Sequence, residues 1–212
     1  MAEPLPSDLQ IRPPLQRRSR EAWARVLDAG VQLLEEGGYD AFTIAALCER
    51  AGVAPPAIYA RTTNKEALFL AVYEHGIARL APAQGALEDL QHGDPAQLVR
   101  DAVAAVLGGM LAHRRFLGAV VLISAAHPEV HRRGAGYAHA LEEAFVELVG
   151  RLGEAVTHPA PAAAARTCFG SVFAAGVLRV AWGADFTTAV PLDDAAFVSA
   201  QADAAVRHLL GR

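Results

Sequence analysis

With 212 residues, 53% of them hydrophobic and 20% charged, the chain can bury a sizeable core, which excludes a solvated, self-repelling polymer. A net charge of −4 excludes indiscriminate coating of nucleic acid, so any DNA contact has to come from a local basic patch. No apolar run approaches the ~20 residues that span a bilayer, and the N-terminus carries no basic-then-apolar leader, so a cytoplasmic protein without a membrane partner is expected.

Residues 1–16 hold Pro4, Pro6, Pro13 and Pro14 without apolar periodicity and read as a flexible arm. A basic stretch follows, in which Arg12, Arg17, Arg18, Arg20 and Arg25 face only Glu21. Ser19 can cap a first helix that carries Trp23, Val26, Leu27, Leu33 and Leu34 at helical spacing and stops at Gly37 and Gly38. Thr43 is placed to cap a second, short helix, with Phe42 and Leu47 as a hydrophobic staple. Ile44, Leu47, Cys48 and Ala51 form its apolar side before Gly52 breaks it. Pro55 and Pro56 mark the first turn of a third helix, with a body over 56–61, because proline is tolerated only where its missing N–H would be unpaired anyway. The T-x-x-E pattern from Thr63 to Glu66 is a capping box, and it opens a fourth helix carrying Leu68, Phe69, Val72 and Ile77.

Proline and glycine divide the remainder into intervals that each hold one helix, with breaks near Pro82, Gly93 to Pro95, Pro128, His158 to Pro161 and Pro191. Leu98 to Met110, Phe116 to Ile123, Tyr137 to Leu152, Phe169 to Val180 and Phe197 to Leu209 mark five of them. No segment alternates with period two, so the expected fold class is all-α. Cys48 and Cys168 match neither a zinc-ligand spacing nor a disulfide framework and read as small buried hydrophobes.

A short helix, a glycine turn and a second short helix make a unit whose second member can lie in the major groove, about 12 Å wide. Around that unit the chain resembles the tetracycline-repressor (TetR) family of bacterial regulators. The matching residues are Gly38-Tyr39, Phe42-Thr43-Ile44-Ala45, Ala51-Gly52-Val53, Ala57-Ile58-Tyr59 and Asn64-Lys65-Glu66-Ala67-Leu68-Phe69, within residues 17 to 75. The resemblance implies a three-helix helix-turn-helix domain over 17–64 and a helical ligand-binding and dimerisation domain over 65–212. It further implies a homodimer bound to palindromic operator DNA, usually as a repressor, with a small-molecule effector as second partner.

Carried over by residue, the resemblance makes Thr43, Tyr59 and Lys65 contacts to the operator backbone, roles that also suit a phenol and an ammonium at a helix N-terminus. Where the family usually follows its recognition tyrosine with an aromatic or histidine and then a phenylalanine, Ala60, Arg61 and Thr62 stand here. That departure removes packing between the third and fourth helices, leaving the docking looser or filled by another side chain, and leaves Arg61 as a phosphate clamp, or second to that as a reader of guanine. Ala54, Pro55, Pro56, Ala57 and Ala60 can make only apolar contacts apart from their backbones, which favours thymine methyls and DNA shape over hydrogen bonds. A helical small-molecule-binding protein or enzyme that has lost operator binding is the alternative these departures leave open.

In the larger part, the apolar positions Phe116, Val120, Tyr137, Leu141, Phe145, Phe169, Phe173 and Val177 read as core or as the wall of the effector pocket the resemblance implies. With Ser124, Tyr137, Cys168 and Ser171 as the polar groups nearby, the effector is expected to be mainly apolar. Gly170, Ala174, Ala175, Gly176 and Gly183 make part of the penultimate helix unusually small. Since the family dimerises through a four-helix bundle of the last two helices, the expected interface is Gly170, Ala174, Gly176, Phe197, Gln201 and Ala205, with packing inside the subunit as the other reading. His127, Glu129 and His131 have metal-like spacing, but Pro128 keeps the two imidazoles from sharing a helix face, and Ser124 near His127 lacks an acid partner. No metal, no cofactor and no enzymatic activity are expected.

Overall fold

A computed structural model describes residues 17–91 and 93–211, the side chains of 81–84 excepted; the expected arm over 1–16 lies outside them. The described residues form ten α-helices and no strand. They divide into two compact units, one holding the described residues up to Arg79 together with Gly118–Val130, and one holding those of Leu80–Leu117 and from His131 onward.

The first unit is built on α1 (Arg17–Ala41), α2 (Ile44–Ala51), α3 (Pro55–Tyr59) and α4 (Lys65–Ile77). α1 buries Trp23, Val26, Leu27, Val31, Leu33 and Leu34, and its helical backbone is lost at Gly37 and Gly38, where Gly38 takes a φ of 61° that only glycine adopts at no cost. Ser19 lies within α1 instead of capping it. Phe42, Leu47, Ile58, Leu68, Phe69 and Val72 are fully buried, and a side chain of this size contributes about 1.5–3 kcal/mol when removed from water. α1 and α4 approach closely at Gly30, and Asp28 ties them further by accepting from His75 Nε2 at 2.8 Å and from Arg79 at 2.6 Å.

Two boundaries differ from the sequence reading. α3 ends at Tyr59, and the chain leaves it in a tightened turn in which the N–H of Arg61 reaches the Ile58 carbonyl at 2.9 Å, three residues back. The cap of α4 is Asn64, not Thr63: its Oδ1 accepts from Ala67 N at 2.7 Å, while Thr62 Oγ1 donates to the Asn64 carbonyl.

The second unit contains α5 (Ala81–Asp89), α6 (Pro95–Ala112), the start of α7 (Arg114–Ser124), most of α8 (Pro128–Gly150), α9 (Pro161–Trp182) and α10 (Asp194–Leu210). α6 is its central helix, packed by α5, α9 and α10 and burying Leu98, Val99, Ala102, Val103, Val106, Leu107 and Met110. Asp94 and Asp193 cap α6 and α10 by accepting the N–H groups of Ala96 and Ala196. α9 is long and apolar enough to cross a membrane by length and composition, yet Arg166 and Arg179 interrupt it and it packs on α6 and α10 with Cys168, Phe169 and Val172 buried.

Candidate nucleic-acid interface

Thr43 starts α2 from an extended backbone, with its Oγ1 accepting from Ala46 N at 3.2 Å, and its side chain is otherwise exposed. At the other end Gly52, at φ 62° and ψ 43°, turns the chain and donates its N–H to the carbonyls of Cys48 and Glu49. Two arginines fix α2 on α1. Arg25 Nε donates to the Ala51 carbonyl at 3.1 Å, and the Arg50 guanidinium grips both carboxylate oxygens of Glu36 at 2.7 Å each. That grip, through the Glu36 hydrogen bonds, holds the Arg50 guanidinium more firmly protonated than usual.

α3 follows α2 after three residues. Ala54 provides no side-chain cap, Pro55 occupies the first helical position, and Ile58 turns wholly inward. This single anchor sends the other side chains out: Ala54, Pro55, Pro56, Ala57 and Ala60 are exposed, and Tyr59 is 57% exposed. Tyr59 is thus an outward phenol rather than a core aromatic. Arg61 donates to Ser19 Oγ, which joins the turn after α3 to the first turn of α1. Lys65, half-buried at the start of α4, places its ammonium 4.5 Å from the centroid of the Tyr39 ring. The expected packing defect at Thr62 does not open a hole. Thr62 is buried with its hydroxyl satisfied, and Phe69 packs edge-on against both Tyr39 at 4.9 Å and Phe42 at 5.6 Å.

Sequence reading missed the Glu36–Arg50 and Arg25–Ala51 links, since partners 14 and 26 residues apart carry no local signal. It also missed Ser19 as a partner of Arg61. Asn64 was available as a strong cap but was eclipsed by the T-x-x-E pattern beside it.

The expected effector residues fall in both units. Within the second, Phe116, Leu141, Phe145 and Phe169 are buried, Tyr137, Phe173 and Val177 are half-buried, and Phe169 brings together Phe145 at 5.9 Å and Phe173 at 5.5 Å. The Tyr137 hydroxyl lies 3.5 Å from the Leu80 carbonyl, and burial pushes its pKa up to about 12 and that of Cys168 up to about 11. Val120 and Ser124 belong to the first unit, where Ser124 Oγ donates to the Val121 carbonyl. Ser171 is exposed. An open groove of about 400 Å³ between α5 and α8 is lined by Glu88, Glu143, Glu147 and Arg151 and includes none of the expected effector residues.

Of the expected interface residues, Gly170 and Ala174 are exposed on α9, and Phe197 and Gln201 are half-buried on α10. Gly176 and Ala205 are buried inside the unit, Gly176 against Met110 and Leu107 of α6, so packing within the subunit accounts for its missing side chain. The outer side of α9 continues instead through Leu178 and Trp182, whose ring stacks on Phe186 at 5.5 Å. His127 acts locally: its Nδ1 accepts from Val130 N, its ring lies 5.3 Å from that of Phe69, and its Nε2 is 3.8 Å from Glu66.

A capped short helix, a left-handed glycine turn and a second short helix that buries one residue and presents the rest to solvent constitute a helix-turn-helix, the reading unit of a class of DNA-binding transcriptional regulators. Residues 26–72 match the family profile described as bacterial regulatory proteins of the tetR family. Over 55 residues the chain is 44% identical to the HTH-type transcriptional repressor ComR of Escherichia coli (strain K12), a match that spans about a quarter of each protein (26% of this chain, 26% of ComR). Among solved structures, GusR of Salmonella enterica aligns with a TM-score of 0.69 at 14% identity, covering 92% of this chain and 98% of that one. A tetR-family regulatory protein from Rhodococcus RHA1 gives 0.67 at 16%, covering 89% and 96%, and the TetR-family regulator PfmR of Thermus thermophilus gives 0.62 at 21%, covering 86% and 97%. These likenesses establish the fold over nearly the whole chain. Residues 26–72 thus carry the N-terminal segment described for the tetR family of regulators, and the chain as a whole has the fold of TetR-family structures.

Proposed function

We propose that the protein is a homodimeric repressor that holds a palindromic operator through α2 and α3 and is released by a small, mainly hydrophobic effector. The observation that carries this is α3 itself, anchored by Ile58 alone and presenting its remaining side chains outward beside Tyr59, Arg61 and Lys65. Sign of action is taken from ComR, named a repressor, whose likeness to this chain lies in the same N-terminal segment. In this reading 17–64 binds DNA and 65–212 binds effector and partner subunit. Thr43, Tyr59 and Lys65 contact phosphates, Arg61 clamps a further phosphate, and the last two helices pair across a two-fold axis that sets half-sites about 34 Å apart. The aromatic group around Phe169, with Tyr137, offers the effector apolar contact and one phenol. An effector acts as inducer only if it binds the DNA-incompetent state better than the competent one, and operator must then weaken effector by the factor by which effector weakens operator.

The test is to select duplexes from a random pool with the purified full chain and to measure binding of the winner by fluorescence anisotropy. Preference for an intact palindrome over a scrambled duplex of equal length is expected; equal binding overturns the reading and favours a helical protein that has lost its operator. A hydrophobic compound that raises the melting temperature is then titrated with and without saturating operator. Equal affinities would remove it as an inducer.

A further inference from the structure

The first turn of α3 offers DNA almost nothing to donate. Pro55 and Pro56 have no N–H, and the N–H groups of Ala57 and Ala60 are consumed by the carbonyls of Ala54 and Pro56 at 2.9 and 3.0 Å. None of the exposed side chains at 54, 55, 56, 57 and 60 bears a polar atom. The arginines nearest the two short helices already hold partners within the protein, Arg25 the Ala51 carbonyl, Arg50 the Glu36 carboxylate and Arg61 the Ser19 hydroxyl. A helix so built cannot read base edges by hydrogen bonds along this face. In the major groove one apolar feature distinguishes base pairs, the C5-methyl group of thymine.

Resting on the reading of this unit as a DNA binder, we infer that α3 recognises C5-methyl groups in the major groove through Pro55, Pro56, Ala57 and Ala60. The half-site therefore carries thymine at the base pairs these side chains cover. Tyr59, the one polar side chain of α3, stays on the backbone and fixes how deeply the helix sits. Methyl recognition depends on the methyl and not on the rest of the base, so 5-methylcytosine replaces thymine at a covered position far better than cytosine does.

The experiment uses the full-length protein and the selected palindrome, changing one base at a time. Deoxyuridine in place of thymine removes the C5-methyl alone and keeps pairing and the O4 acceptor. At each covered position this is expected to weaken binding about fourfold, the loss that accompanies one unburied methyl group. Replacing the same thymine–adenine pair with cytosine–guanine weakens binding further, and 5-methylcytosine recovers about fourfold of it. The variant Ala57→Gly should lose the deoxyuridine effect at one base pair and keep it elsewhere; if this variant fails to fold, the substitutions made in the DNA still decide. Unchanged affinity for every deoxyuridine duplex, with the palindrome still preferred over the scramble, overturns methyl recognition and leaves DNA binding standing. Equal losses at covered and flanking thymines would also overturn it, by assigning the effect to duplex flexibility. Failure to select any duplex falls on the DNA-binding reading itself.

Discussion

Lys65 has a packing role and, under the proposed function, a second one on phosphate. Its ammonium is held 4.5 Å from the Tyr39 ring centroid, an attraction to the ring face that uses no hydrogen-bond acceptor and so leaves its donors for an anion. Arg61 is committed differently, because its guanidinium bonds to Ser19 and bridges the turn after α3 to α1. Both sit beside α3, and each phosphate contact contributes about one unit to the slope of log affinity against log salt. Lys65→Ala is therefore expected to lower that slope by about one unit for every sequence alike, and Arg61→Ala to do the same while loosening the start of α1. Anisotropy titrations across a salt series check this; an unchanged slope in the double variant would move the DNA-binding surface elsewhere. Thr43 and Gly52 were readable from sequence because a cap and a left-handed turn are local matters, settled within four residues of chain. Asn64 was misread for a local reason as well, since two adjacent residues could each cap and the one held extended by Thr62 prevailed.

Between elements, two glycines make a pair of contrasting tests. A Cβ at Gly30 would stand 2.5 and 2.8 Å from the two methyls of Val72 and 3.2 Å from Phe42, so α1 and α4 would have to separate. Val72 is β-branched and cannot swing away, and overpacking of this kind costs about 1–3 kcal/mol; the helix propensity gained by alanine offsets roughly 1 kcal/mol of it, so Gly30→Ala is expected to lose up to about 2 kcal/mol in denaturant unfolding. At Gly176 the Cβ would meet the sulfur of Met110 at 2.7 Å and a terminal methyl of Leu107 at 2.9 Å, both flexible ends. Gly176→Ala also gains helix propensity of roughly 0.8–1 kcal/mol, so its net effect should be near neutral. The α9–α10 connection depends on charge instead. Arg179 donates to Asp194 at 2.8 and 3.0 Å and to the Leu192 carbonyl at 2.8 Å, and it covers the Phe197 ring, while Arg114 reaches Asp194 from α7. The hydrogen bond from Arg179, foremost, and that from Arg114 hold the Asp194 carboxyl below its ordinary 3.8. A lowered carboxyl stabilises the fold fully above its unfolded pKa and loses that contribution as pH falls through the folded one. Wild type should thus lose stability on acidification below about pH 4 more steeply than Asp194→Asn, measured by thermal melts across that range.

At the scale of the whole molecule, the proposed dimer requires an outer surface on the last two helices. On α9 that surface runs through Gly170, Ala174, Leu178 and Trp182, the last two being large apolar side chains left exposed in the single chain. Ala174→Arg is expected to leave the subunit folded, to yield monomers in sedimentation velocity, and to abolish preference for two half-sites over one. A variant that remains dimeric and binds the palindrome normally would place the interface elsewhere. Gly176, first read as part of this surface, is no probe of it, because a large residue there would strike α6.

The helices, their order and the helix-turn-helix were legible in one sequence because they rest on short-range rules: apolar spacing, caps, and breaks at proline and glycine. The outward position of most of α3 was legible too, since a five-residue helix opening on two prolines has little but Ile58 to bury. Spacing alone could not say which side of a longer, uniformly apolar helix faces in. Nearly every residue of α9 is apolar or small, so periodicity left Gly170 and Gly176 equivalent, and only the arrival of α6 separated them. The same holds for Glu36 with Arg50 and for Arg61 with Ser19, whose pairing follows from how folded helices bring distant charges and hydroxyls within hydrogen-bond reach.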